Sequence, residues 1–133
     1  MTDFRTVTET FAVAPQIGLA DVQLAKEAGF SLLINNRPDN EEATQPSSAQ
    51  VEAAARLAGV DYVHIPVVGR PGAAQVEAMQ AALAGARGKT LAFCRSGTRS
   101  ITTWALGQAG RMDRAEIVRR GAAAGYDLAA ILG

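Results

Sequence analysis

The sequence predicts an α/β fold: a single three-layer domain over residues 1–133, built around a mainly parallel central sheet. Three observations lead there. Short apolar runs suited to buried strands, "FSLLIN", "VDYVHIPVV" and "KTLAFC", recur along the chain. Stretches with apolar residues at helical spacing separate them, and glycine or proline breaks punctuate the changes. Strands that alternate with helices call for parallel pairing and right-handed crossovers.

The elements follow in order. "MTDFRTVTETFAVAPQI" is rich in Thr, Val and Phe and suits one or two short strands ending near Pro15. "LADVQLAKEAGF" carries helix formers and a stop at Gly29, and "FSLLIN" is then a buried strand. "NRPDNEEATQP" is a loop, because Pro38 pre-sets φ and Asp39 and Asn40 favour turns. Ser47 and Gln50 form a capping box; Val51, Ala54, Ala55 and Ala58 share the helical face that follows, and Gly59 closes it. "VDYVHIPVV" is a strand segment ended by "GRPG", and Val76, Met79 and Leu83 mark the next helix. "KTLAFC" is a buried strand that runs directly into a loop. "SITTWALGQAG" is a helix, and "DRAEIVRRGAAAGYDLAAIL" forms one or two more. In such a sheet ligands bind beyond the carboxyl ends of the strands. The segments after Asn35, after Val68 and after Cys94 should therefore meet on one edge.

Thirteen basic residues balance thirteen acidic ones, which argues against non-specific binding to nucleic acid or anionic membranes. "MTDFRTVTETF" lacks a basic region followed by an apolar one, and no apolar run approaches the roughly 18 residues of a membrane span. One cysteine cannot close an internal disulfide. The expectation is a soluble, cytoplasmic protein. With a single histidine, His64, and one distant cysteine, a zinc site lacks ligands, so no metal or other cofactor is expected.

That cysteine lies in "FCRSGTRS". A strand ending at Cys94, a tight loop and a helix start aim successive backbone N–H groups at one point and add positive potential there. Arg99 supplies a planar fork for two oxyanion oxygens. The same field favours thiolate; helix N-termini and nearby cations bring cysteine thiols from about 8.5 to roughly 3.5–7.5. Cys94 is thus a candidate nucleophile beneath a bound oxyanion. Gly97 lets the backbone turn, Ser96, Thr98 and Ser100 offer hydroxyls to the sulfur or the anion, and Arg95 adds charge.

"FCRSGTRS", "INNRPDNEEATQP" and "AGYDL" together resemble the β-lactamase-hydrolase-like phosphatase-domain family, over nearly the whole chain. The family is a bacterial branch of the cysteine phosphatases related to dual-specificity phosphatases. The resemblance implies a cysteine-phosphatase-like fold, Cys94 as nucleophile and Arg99 as oxyanion binder. It also implies sulfur chemistry, since some members are fused to a persulfide dioxygenase and act as sulfurtransferases. This sequence departs from phosphatase patterns in three places. Only four residues separate Cys94 from Arg99, where cysteine phosphatases have five and many rhodanese-type loops have four. Phe93 replaces the histidine common before the nucleophile. "IPVVGRPG" has no carboxylate where the general-acid aspartate usually lies.

Arg37 is a further candidate for substrate binding, and Asp39 for a substitute general acid. Arg70 is a candidate for the pocket rim. Glu41 and Glu42 read as a solvated face, His64 as structural, and Trp104 and Met79 as core. The departures favour a sulfurtransferase: Cys94 takes the outer sulfur of thiosulfate or a persulfide and passes it to a thiol or cyanide acceptor, with a separate persulfide dioxygenase as an associated partner. The alternatives are a cysteine phosphatase acting on phosphate monoesters through phosphocysteine, and a non-catalytic oxyanion-binding module.

Overall fold

The computed structural model describes residues 3–133; Met1 and Thr2, the start of the expected N-terminal strand segment, lie outside them. The strands are β1 (Arg5–Thr6), β2 (Phe11–Ala14), β3 (Phe30–Asn35), β4 (Asp61–His64) and β5 (Lys89–Phe93). They form one sheet in the order β1-β2-β5-β3-β4. Every pairing is parallel except the β1–β2 edge. The mainly parallel α/β domain expected from the strand–helix alternation is therefore observed.

Strand residues alternate between two cores, as a two-residue repeat requires. Phe11, Val13, Leu32, Ile34 and Ala92 enter one core; Ala12, Ala14, Leu33, Leu91 and Phe93 enter the other. A sheet covered on both faces needs apolar residues at consecutive positions, which explains "FAVA", "FSLLIN" and "TLAF". One face carries α1 (Asp21–Glu27) and α2 (Ser48–Ala58), which contribute Val22, Ala25, Val51 and Ala55. The other carries α3 (Ala73–Ala84), α4 (Thr98–Gln108), α5 (Arg114–Ala123) and α6 (Leu128–Leu132). Trp104 stacks on Phe11 at 5.7 Å between centroids, and Met79 is buried beside them, both core as expected.

Local chemistry sets the helix ends. Ser47 caps α2 in a reciprocal box with Gln50, and Gly59 ends it at φ 76. Two boundaries differ from the sequence expectation. β4 ends at His64, because beyond it the chain continues through Ile65 N–H to Asn35 O and Val67 N–H to Asn36 O without forming a ladder. α4 begins at Thr98, two residues early, so Arg99 belongs to its first turn. Among the described residues no helix is long and apolar enough to cross a membrane.

Candidate active site

The carboxyl ends of β3, β4 and β5 bring the three expected segments together. Asn36 N–H donates to Phe93 O at 2.8 Å, which extends the β3–β5 pairing to the residue before the cysteine. Cys94 is fully buried at the base of this edge. Phe93 is also fully buried and packs in the α1–α2 core, so this position anchors the loop apolarly.

The loop after Cys94 turns its carbonyls outward. Arg95 O accepts from Gln16 N–H at 3.1 Å, Ser96 O from the Tyr126 hydroxyl at 2.8 Å, and Gly97 O from Ile101 N–H at 3.0 Å. In a trans peptide the next N–H points the opposite way. Gly97 N–H accordingly donates to Cys94 Sγ at 3.1 Å. Gly97 is also the N-cap of α4 and brings no side chain to the first turn, where Thr98 N–H donates to Ser96 Oγ at 3.4 Å.

Gly97 is required twice over. Its φ is 90, and a Cβ built there would lie 2.0 Å from Tyr126 Oη. Gly97→Ala therefore has to displace the tyrosine or rotate the loop. Backbone strain alone costs about 1–3 kcal/mol, and the expected result is a melting temperature lower by about 5 °C or more. Thermal denaturation checks this; an unchanged midpoint would mean that the loop adapts without strain.

Arg99 is held by its outer edge. Its Nη1 donates to Glu41 Oε2 at 2.7 Å and to Val67 O at 2.8 Å, and its Nη2 donates to Glu41 Oε1 at 2.7 Å. Guanidinium has five N–H donors. Three are engaged, and the remaining pair, Nε–H and the second Nη2–H, makes an intact fork. Hydrogen bonds to Glu41 raise the Arg99 pKa above its ordinary value, and the nearby Cys94 sulfur adds to the effect. Reciprocally, the Arg99 hydrogen bonds, with those of Arg37, lower Glu41 to about 2.

Arg37 is only 2% exposed and faces inward. Its Nε donates to Glu41 Oε1, its Nη2 to Glu42 Oε1 and its Nη1 to Gln16 Oε1, at 2.7–2.9 Å. Arg95, mostly exposed, pairs with Glu42 at 3.4 Å. Glu41 and Glu42 are exposed, as expected of a solvated face, but their carboxylates also reach inward. They tie Arg37, Arg95 and Arg99 together, because a buried guanidinium needs carboxylate partners. His64 Nε2 meets Arg37 O at 2.8 Å, the structural role expected of it.

Among the described residues the other candidates make no hydrogen bond to the sulfur. Asp39 Oδ1 accepts Ser48 N–H at 2.7 Å at the start of α2. Ser96 and Thr98 bond each other through their hydroxyls at 3.0 Å. Ser100 Oγ is buried with no hydrogen-bond partner among the described residues, the sulfur included. Arg70 donates to Ile131 O at 3.1 Å and, with Arg99, lines a neighbouring cavity of about 150 Å³.

Two contributors escaped sequence reasoning: Glu41, and the pair Arg5–Tyr126. The first had a signal in the two acids that follow the "RPDN" turn. The second had one in "AGYDL", whose tyrosine carried no assigned role.

This geometry falls within a known group. Residues 3–111 match the family described as "Beta-lactamase hydrolase-like protein, phosphatase-like domain". A beta-lactamase hydrolase-like protein of Agrobacterium fabrum is 40% identical over 127 residues, covering 93% of this chain and 30% of that protein. The chain thus spans about 30% of the length of the curated relatives it matches. A candidate phosphatase from Neisseria meningitidis superposes with TM-score 0.86 at 34% identity, covering 96% of this chain and 92% of that one. P. aeruginosa TpbA, solved in complex with pTyr, shares the fold at TM-score 0.68 and 15% identity, over 94% and 76% of the two chains.

These findings overturn the sulfur-transfer expectation: the matching family domain and the related structures are phosphatase-like. Thiosulfate, a persulfide donor, a thiol acceptor and a dioxygenase partner lose their support with it. The physical reason lies in α4. Because the helix starts at Thr98, Arg99 stands in its first turn, near enough to the Cys94 sulfur for the two to interact despite the four-residue spacing.

Proposed function

The chain belongs to the phosphatase-like domain family of the beta-lactamase hydrolase-like proteins, and from that premise we propose that it hydrolyses phosphate monoesters through a phosphocysteine at Cys94. One observation carries the reading: a sulfur that accepts a backbone N–H at 3.1 Å lies near an arginine whose Nε–H and second Nη2–H bond no protein oxygen among the described residues. The free Nε–H and Nη2–H of Arg99 hold two phosphoryl oxygens, and the α4 amides meet the third. Thiolate attacks phosphorus, an S–P bond forms, and the P–O bond to the leaving group breaks. Water then attacks the phosphocysteine, the S–P bond breaks, and inorganic phosphate and the thiolate are released. Arg37, Glu41 and Glu42 keep Arg99 and Arg95 in place.

The weak step is protonation of the leaving group. "IPVVGRPG" supplies no carboxylate, and Asp39 is committed to the Ser48 amide. A general acid contributes about 10²–10⁴-fold. Aryl phosphates, which leave as stable anions, should therefore be hydrolysed about 10²-fold or more faster than alkyl phosphates. Steady-state rates across aryl and alkyl esters test this, together with acid-quenched intact mass for a phosphoryl group on Cys94. Phosphate binding with no turnover of any ester would leave an oxyanion-binding module instead. Equal rates for both ester classes would show that a general acid exists and that its position has been misread.

A further inference from the structure

We infer that Tyr126 is a positioning residue for Cys94: its hydroxyl fixes the Ser96–Gly97 peptide so that the Gly97 N–H stays on the sulfur. The reading takes from the proposed phosphatase reaction only what the thiolate attacks.

Tyr126 Oη donates to Ser96 O at 2.8 Å, and Gly97 N–H donates to Cys94 Sγ at 3.1 Å. Both bonds belong to one planar peptide unit, in which C=O and N–H point opposite ways. Holding the oxygen therefore sets the direction of the N–H. Glycine at position 97 offers the backbone many other orientations, so an external anchor is needed.

The anchor has a defined polarity. Arg5 Nη1 donates to Tyr126 Oη at 2.8 Å, so the tyrosine's own proton is directed onto Ser96 O. Arg5 also lies over the tyrosine ring at 5.2 Å, and Asp3 grips its Nε and Nη2 at 2.7–3.1 Å. Burial holds the Tyr126 hydroxyl above its ordinary titration range, which keeps it a donor. A path of hydrogen bonds thus runs from Asp3 through Arg5, Tyr126 and the Ser96–Gly97 peptide to the sulfur. Each bond polarises the next. Tyr126 also fills the space that a side chain at position 97 would need, so the two residues specify each other.

The test exploits the chain's single cysteine. With isotope-labelled cysteine, NMR follows one thiol-to-thiolate titration that requires no substrate. Tyr126→Phe keeps the ring and removes the donor. Loss of an N–H bond to the thiolate disfavours the charged form, so the titration midpoint should rise by about half to one pH unit. Arg99, Arg95 and Arg37, with Glu41 and Glu42, surround the sulfur side of the loop, and Arg5 and Asp3 surround the tyrosine. All are retained in this variant and affect both proteins alike. Arg5→Met, which leaves the tyrosine in place, should shift the midpoint the same way by less, and it carries the test if the phenylalanine variant does not fold. A folded variant with the wild-type midpoint overturns the inference. A raised midpoint in a protein that hydrolyses no aryl phosphate supports the positioning role and rejects the phosphatase reading.

Discussion

Cys94→Ser should stop the turnover of an aryl phosphate, with kcat lower by about 10⁴-fold or more, while an oxyanion should still bind. The two halves of this result have separate physical causes. A serine hydroxyl is far less acidic than a thiol, and the Gly97 N–H and the Arg99 fork do not make it an adequate nucleophile. Binding depends on other groups. The carbonyls of Arg95, Ser96 and Gly97 are secured by Gln16, Tyr126 and Ile101 through hydrogen bonds that do not involve the sulfur. Arg99 is secured by Glu41 and Val67. The cradle therefore survives the substitution. Calorimetry with inorganic phosphate or tungstate, beside steady-state kinetics, measures both halves. Turnover retained in a folded serine variant would move the nucleophile elsewhere. Turnover and binding lost together would mean that the sulfur shapes the cradle and does not merely occupy it.

Most of the fold was legible because its signals are local. The capping box at Ser47 and Gln50 and the stop at Gly59 lie within a few residues of what they control. Apolar runs buried on both faces announce parallel strands without any knowledge of their partners. The cysteine loop stood out for the same reason, since "FCRSGTRS" holds the proposed nucleophile, the turn and the arginine in eight consecutive residues. What was not legible is what holds the loop. Arg99 and Glu41 are 58 residues apart, and Arg5 and Tyr126 are 121 apart. Nothing in a linear pattern distinguishes a glutamate that grips a remote arginine from one that faces water.

The misread chemistry has a related origin. The residue count between Cys94 and Arg99 matches many rhodanese-type loops, but the early start of α4 sets where Arg99 stands. Asp39 was chosen for its residue type and position, whereas the amide of Ser48 takes its carboxylate. In both cases the backbone, and not the residue type alone, decides the role of the side chain.

Arg99→Lys should lower kcat/KM by about 10²–10³-fold, although the charge is conserved. The argument is one of donor geometry. Arg99 spans three acceptors, the two Glu41 oxygens and Val67 O, and still presents a two-point fork on its other edge. Lysine has three N–H groups on one nitrogen. It can satisfy Glu41 or reach the phosphoryl group, but one point cannot do both. If the ammonium remains on Glu41, the oxyanion loses both of its side-chain bonds. If it swings to the oxyanion, Glu41 keeps only Arg37, and the contact with Val67 that closes the site is broken. Phosphate affinity should fall along with the rate, because the fork serves ground state and transition state alike. Kinetics and phosphate binding on the folded variant separate the cases. A kcat/KM within about threefold of wild type would show that the α4 amides alone hold the phosphoryl group. Unchanged phosphate affinity with a large loss in kcat would show that the fork engages only as charge develops in the transition state.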